Sequence, residues 1–115
     1  MQVDVARAYI DALVSHDGDS VAFAPDCVRI EMGVKTGFSG AHLRRSLNRG
    51  PQYRVIQRIR ELESSVDGDV VHTSYLLDAG LFGRRLTTVR VLEDFVIPSA
   101  DLRIHRIDAK ITRPS

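Results

Sequence analysis

Apolar residues at Ala6, Tyr9, Ile10, Leu13 and Val14 recur at i, i+3, i+4, i+7 and i+8, the spacing of one face of an α-helix. Gly18 ends that helix, and "DSVAFA", capped by Asp19 or Ser20, reads as a short second helix. Pro25-Asp26 breaks it, and "CVRI" reads as a strand. After the turn-rich loop "VKTGFSG", Ser39 caps a third helix, "GAHLRRSLNRG", with Leu43 and Leu47 one turn apart and Gly50-Pro51 as its stop. The rest of the chain reads as strand. "YRVIQRIRELESSV" turns at Asp67-Gly68 into "DVVHTSYLLDA", "GLFG" leads into "RRLTTVRVLEDFVI", and "PSAD" turns into "LRIHRIDAKIT". Four long strands joined by such short turns form an antiparallel meander, because parallel pairing needs longer crossovers. Helices first and strands after indicate an α+β fold with the helices on one face of a curved sheet.

Composition narrows the partners. At 115 residues the chain is one domain, residues 1–115, large enough to bury a core without disulfide or metal staples. Sixteen basic residues are interleaved with 15 acidic ones, for a net charge of +1. That balance argues against nucleic acid or a membrane surface as the main partner. Cys27 is the single cysteine, so no intrachain disulfide forms, and its setting is that of a small buried hydrophobe. Neither a leader nor an apolar run of about 18 residues is present, so a cytoplasmic protein is expected. No nucleotide loop, nucleophile elbow or triad spacing occurs. No histidine pair has ligand spacing beside a carboxylate, so no metal and no cofactor is expected.

The order of elements at this length resembles the nuclear transport factor 2-like superfamily, which includes ketosteroid isomerases and SnoaL-like polyketide cyclases. The stretches that carry the likeness are "AYIDALVSHDGDSVAFAPDCVRIEMG" and "TGFSGAHLRRSL". The resemblance implies a cone-like barrel, three N-terminal helices packed on a strongly curved antiparallel sheet around a mostly apolar cavity. It also implies homodimers through the sheet. Against the ketosteroid isomerase pattern, Tyr9 matches the first-helix tyrosine that donates to a developing enolate oxygen. Glu31 matches the first-strand carboxylate that shuttles the proton. The late-strand protonated aspartate of that pattern falls near "TVRVLED", at Leu92 or Arg90, where no acid stands.

Five residues therefore stand as candidates. Glu31, lining an apolar cavity, would lose hydration and gain basicity, which suits proton abstraction beside a carbonyl or water activation for epoxide opening. Strand alternation could equally turn it outward. Tyr9 lies on the apolar helix face, either as an oxyanion donor or as a core aromatic bonded to a backbone carbonyl. Arg90 interrupts an apolar strand and needs a carboxylate, from Glu31, an acidic ligand or a rim ion pair. His72 shares a face with Val70, Ser74 and Leu76; His105 shares one with Arg103, Ile107 and Ala109. Neither face is cleanly apolar, so their direction stays open; both inward, they form an acid–base pair. His16 and His42 are surface positions. Arg54, Arg58 and Arg60 form one charged strand face, without the aromatic interleaving of an RNA-binding stripe. Three functions remain: an acid–base enzyme of isomerase, cyclase or epoxide hydrolase type acting on an apolar small molecule, a non-catalytic binding module for such a ligand, or a homodimeric assembly domain.

Overall fold

In the computed structural model, which describes residues 1–114, two α-helices pack on a six-stranded sheet. Helix α1 spans Gln2–Ser15 and buries Ala6, Tyr9, Ile10 and Leu13, as its apolar spacing predicts, together with Ala12, while Val14 of the expected face is exposed. Helix α2 spans Gly40–Arg49, and the Ser39 hydroxyl accepts the His42 N–H at 3.0 Å as its N-cap. The predicted second helix is absent. Only a 3-10 turn, Gly18–Ser20, follows α1, and the chain is already a strand by Phe23. The Asn48 side chain accepts the Gly18 N–H at 2.7 Å and draws that turn onto α2. Pairing of Phe23 with Ile104 draws the next segment into the sheet, so tertiary pairing overrides local helix tendency.

The strands are β1 (Phe23–Glu31), β2 (Val34–Gly37), β3 (Ile56–Asp67), β4 (Val70–Leu81), β5 (Arg84–Val96) and β6 (Ile104–Thr112). Their order across the sheet is β2-β1-β6-β5-β4-β3. The four long strands form the expected antiparallel meander, while β1 joins β6 in parallel, so the sheet is mixed rather than wholly antiparallel. Strand β2 occupies part of the segment read as a loop. The sheet is curved but unclosed, with β2 and β3 at its edges, and not a closed barrel.

Bulges bend the sheet. Between Arg60 and Glu63 strand β3 carries an extra residue against β4, with Glu61 at φ 55°. A second irregularity between Ala79 and Gly80 shifts β4 against β5. Helix α1 lies against β3 and α2 against β1, and the core fills the space they enclose with the inner face of the sheet. Phe23, Leu43, Leu47, Val71, Phe95, Ile104 and Ile107 are buried there. Gln2 ties α1 down further, donating through Nε2 to the carbonyls of Gly68 and Ile97 at 2.9 and 2.8 Å. Among the described residues no helix is long and apolar enough to cross a membrane.

Gly40 lets α2 approach β1: a Cβ there would overlap the Ala24 carbonyl oxygen and press on the Phe23 Cβ at 3.0 Å. Backbone cannot yield as a side-chain tip can. Gly40→Ala is therefore expected to cost about 1–3 kcal/mol despite alanine's better helix propensity. Denaturant unfolding measures this, and an unchanged or raised midpoint would show that the helix shifts freely.

Candidate functional site

On β1, Cys27, Arg29 and Glu31 alternate onto the inner face of the sheet. Arg29 is buried, and its guanidinium joins three elements. Its Nε donates to the Tyr9 hydroxyl of α1 at 3.1 Å. Its Nη1 donates to Glu31 Oε1 and to Thr36 Oγ1 of β2, both at 2.9 Å. On the other side, Nη2 stands 3.7 Å from Glu93 Oε2.

Glu93 comes from β5, where Val91, Glu93 and Phe95 share the inner face. It is 1% exposed. The Tyr75 hydroxyl of β4 donates to Glu93 Oε1 at 2.6 Å, while Oε2 is buried with no hydrogen-bond partner. Burial raises the Glu93 pKa, outweighing the opposing pull of Arg29 and Tyr75. Burial likewise raises the phenols of Tyr9, Tyr75 and Tyr53, against which Arg29 acts in the lowering direction. For Arg29 burial works to lower the pKa, but the surrounding acidic groups, Tyr9 and Glu93 foremost, prevail and raise it. It stays a cation.

Beside this cluster opens a hollow of about 330 Å³, at the small end of the range for ligand sites. Its polar end carries Arg29, Glu31, Thr36 and Tyr53; Leu13, Ile56, Leu77, Val89, Val91 and Ile111 supply apolar walls. The Glu31 side chain is 35% exposed, and its other oxygen, Oε2, has no partner among the described residues. Tyr9 is fully buried, edge-on to Phe95 at 5.4 Å and to Phe23 at 6.1 Å, and does not line the hollow. Arg29 therefore links Glu31 to Tyr9, and of those two partners the carboxylate lines the hollow and the phenol does not.

The other three candidates lie elsewhere. Arg90 shares the opposite face of β5 with Leu92, and its Nη1 donates to Ser74 Oγ at 2.9 Å rather than meeting Glu31. His72 lies on that same outer face of the sheet, its Nδ1 2.7 Å from Asp94 Oδ1. Its depression there is larger, about 860 Å³, but is a solvated groove lined by Glu63, Asp108 and Lys110 among others. His105 pairs with Asp101 at 2.7 Å outside the hollow. The two histidines thus form no pair. Cys27 is buried, and burial pushes its thiol up to about 12, the state of an unreactive core residue. No group of three or more His, Cys, Asp or Glu is arranged to hold a metal among the described residues.

Arg29, Tyr53, Tyr75 and Glu93 escape a reading of the sequence alone, although a signal exists. A period-two count through Cys27, Arg29 and Glu31, and through Val91, Glu93 and Phe95, sets a charge among core positions on each strand. Glu93, the residue after Leu92, is thus an acid buried on β5.

Comparison with solved structures finds this fold repeatedly. An LEH-like epoxide hydrolase from M. tuberculosis superposes with a TM-score of 0.77 at 19% identity, over 96% of this chain and 81% of that one. A candidate SnoaL-like polyketide cyclase from Shewanella denitrificans gives 0.72 at 15% identity, over 96% and 89%. A protein of ketosteroid isomerase-like fold from Catenulispora acidiphila, in complex with trimethylamine, gives 0.71 at 11% identity, over 91% and 82%. At these identities the likeness establishes the nuclear transport factor 2-like fold. By sequence, no curated protein matches the chain. A family profile matches residues 2–111, nearly the whole chain, and the protein accordingly belongs to the family described as a domain of unknown function, DUF8021.

Proposed function

We propose that the inner hollow is the active site of a small-molecule enzyme that performs acid–base chemistry without a cofactor. Its substrate would be an apolar metabolite of the kind that isomerases, cyclases or epoxide hydrolases take. The observation that carries this reading is Glu31, a carboxylate on the wall of a mostly apolar hollow, held through one oxygen by Arg29. A carboxylate in that setting takes a proton from a carbon beside a carbonyl, or from a water that opens an epoxide. The ion pair with Arg29 holds Glu31 in position on the wall of the hollow. Tyr53, which lines the hollow, would donate to a developing oxyanion. Tyr9 acts through Arg29 as a positioning residue. The structural neighbours named for cyclase and epoxide hydrolase activity support the class by analogy of fold.

A second reading, a non-catalytic module that holds an apolar ligand, draws on a different observation. Arg29 spends Nε and Nη1 on Tyr9, Glu31 and Thr36, so much of the polar end is already satisfied from within.

Small epoxides and β,γ-unsaturated ketones serve as probes to separate the two. Glu31→Gln is expected to lower kcat about 100-fold or more while the probes still bind. Equal turnover in that variant removes Glu31 as the base. Binding without turnover by either protein, across the probe set, favours the module.

The buried carboxyl adds a pH dependence. Folding raises the Glu93 pKa, so the native state holds that proton more tightly than the unfolded chain does. This stabilisation is full below the unfolded carboxyl range and is lost as pH rises through the folded value. Glu93→Gln keeps an acceptor for Tyr75 without the charge. Its Tm is expected to gain on the wild type progressively as pH rises from acid towards neutral. Parallel Tm–pH curves for the two proteins would reject a raised Glu93 pKa.

A further inference from the structure

The β4–β5 hairpin turns at Phe82 and Gly83, which take φ of 54° and 75°. A two-residue turn with both central φ positive favours Asn-Gly or Asp-Gly, whose first residue tolerates the left-handed region. Phenylalanine there is strained, and at 102% exposure it gains no burial in return. Leu81 and Leu86 beside it are also exposed, so the ribbon ends in an apolar wedge. Strand β6 pairs with β5 only from Arg90 onward, which leaves residues 84–89 unflanked on that side.

Arginines surround the wedge. Arg84 is the register partner of Leu81, and Arg54, Arg58 and Arg85 line a hollow of about 590 Å³ together with Leu81 and Phe82. Asp78, the acid of that hollow, is buried and bonded to Arg58, Arg60 and Thr88. Arg54, Arg84 and Arg85 are in no ion pair among the described residues. A chain of net charge +1 thus gathers three uncompensated cations at one apolar tip.

We propose that this hairpin tip docks on an anionic lipid bilayer, with Leu81 and Phe82 entering the acyl boundary and Arg54, Arg84 and Arg85 meeting lipid phosphates. The three free cations select an anionic surface. Phe82 stands fully exposed at the end of the ribbon, a protruding shape that a yielding apolar phase surrounds and that a protein partner accepts only with a matching socket. Nothing in this assignment requires a role for Glu31.

Sedimentation of the full chain with phosphatidylcholine vesicles, with and without phosphatidylglycerol, tests it. Binding is expected only to the phosphatidylglycerol vesicles, and it should weaken as salt rises. Phe82→Asn suits the left-handed turn and should leave the fold at least as stable, yet lower partitioning about tenfold. Arg84→Gln and Arg85→Gln should each lower it about fivefold. Because the chain has no tryptophan, Phe82→Trp provides a single reporter whose emission should shift to the blue on those vesicles. Absence of binding, equal binding to neutral vesicles, or unchanged partitioning of Phe82→Asn overturns the proposal. So does a finding that vesicles are ignored while Phe82→Asn changes the oligomeric state or the binding of an acidic peptide, either of which assigns the tip to a protein partner.

Discussion

One buried guanidinium organises the interior. Arg29 binds the first helix through Tyr9, the edge strand through Thr36 and its own strand through Glu31, and it faces Glu93 on β5. A cation taken out of water is tolerated only with such a set of partners, and each partner is held in place by the same demand. The polar end of the hollow is therefore a consequence of satisfying Arg29. Its apolar walls come from the surrounding strands, whose inner faces continue the core.

The curvature of the sheet keeps this interior chemistry apart from the charges outside. On the outer face Asp78 is held well below the usual carboxylate range by hydrogen bonds from Arg60, Thr88 and Arg58. His72 meets Asp94, and Arg106 meets Asp108. The His72–Asp94 and Arg106–Asp108 partners are exposed, so those two pairs contribute little to stability, unlike the buried Asp78. They do compensate charge locally along the strands. At the β4–β5 tip, by contrast, Arg54, Arg84 and Arg85 have no acidic partner among the described residues, so an overall charge near zero misdescribes that end of the molecule.

Glu93 differs from every other acid in the chain. Its Oε2 is the one buried side-chain oxygen without a hydrogen bond among the described residues. Such an atom costs free energy unless a proton, a water or a moving donor reaches it. Arg29 Nη2, 3.7 Å away, is the donor at hand, and a small shift of the guanidinium from Glu31 towards Glu93 would satisfy it. The two carboxylates thus compete for one cation, and the Glu31 charge adds to the burial that raises the Glu93 pKa.

Local signals sufficed for the elements whose causes are local. The spacing of Tyr9, Ile10 and Leu13 is a helix face wherever it occurs, Ser39 caps whatever helix follows it, and Gly68, at φ 61°, turns the β3–β4 hairpin together with Asp69, one residue on from the Asp67-Gly68 pair expected. The α+β order and the antiparallel meander follow from those signals and from short connections. The stretch after Gly18 was not legible in this way, because its strand character comes from pairing with Ile104 about eighty residues on. Glu31 could be picked out as a carboxylate at the end of an apolar strand, but its ion pair with Arg29 could not. Nor could the outward turn of Arg90 and His72 be read from alternation alone. Which face of a strand is inside depends on bulges and on its neighbours across the sheet, and a shift of one residue reverses every side chain. Sequence alone therefore determined the two helices, the four long strands and their order; the tertiary structure alone decided the start of β1, the short strand β2 and which charged groups share the interior, because these depend on contacts between segments distant along the chain.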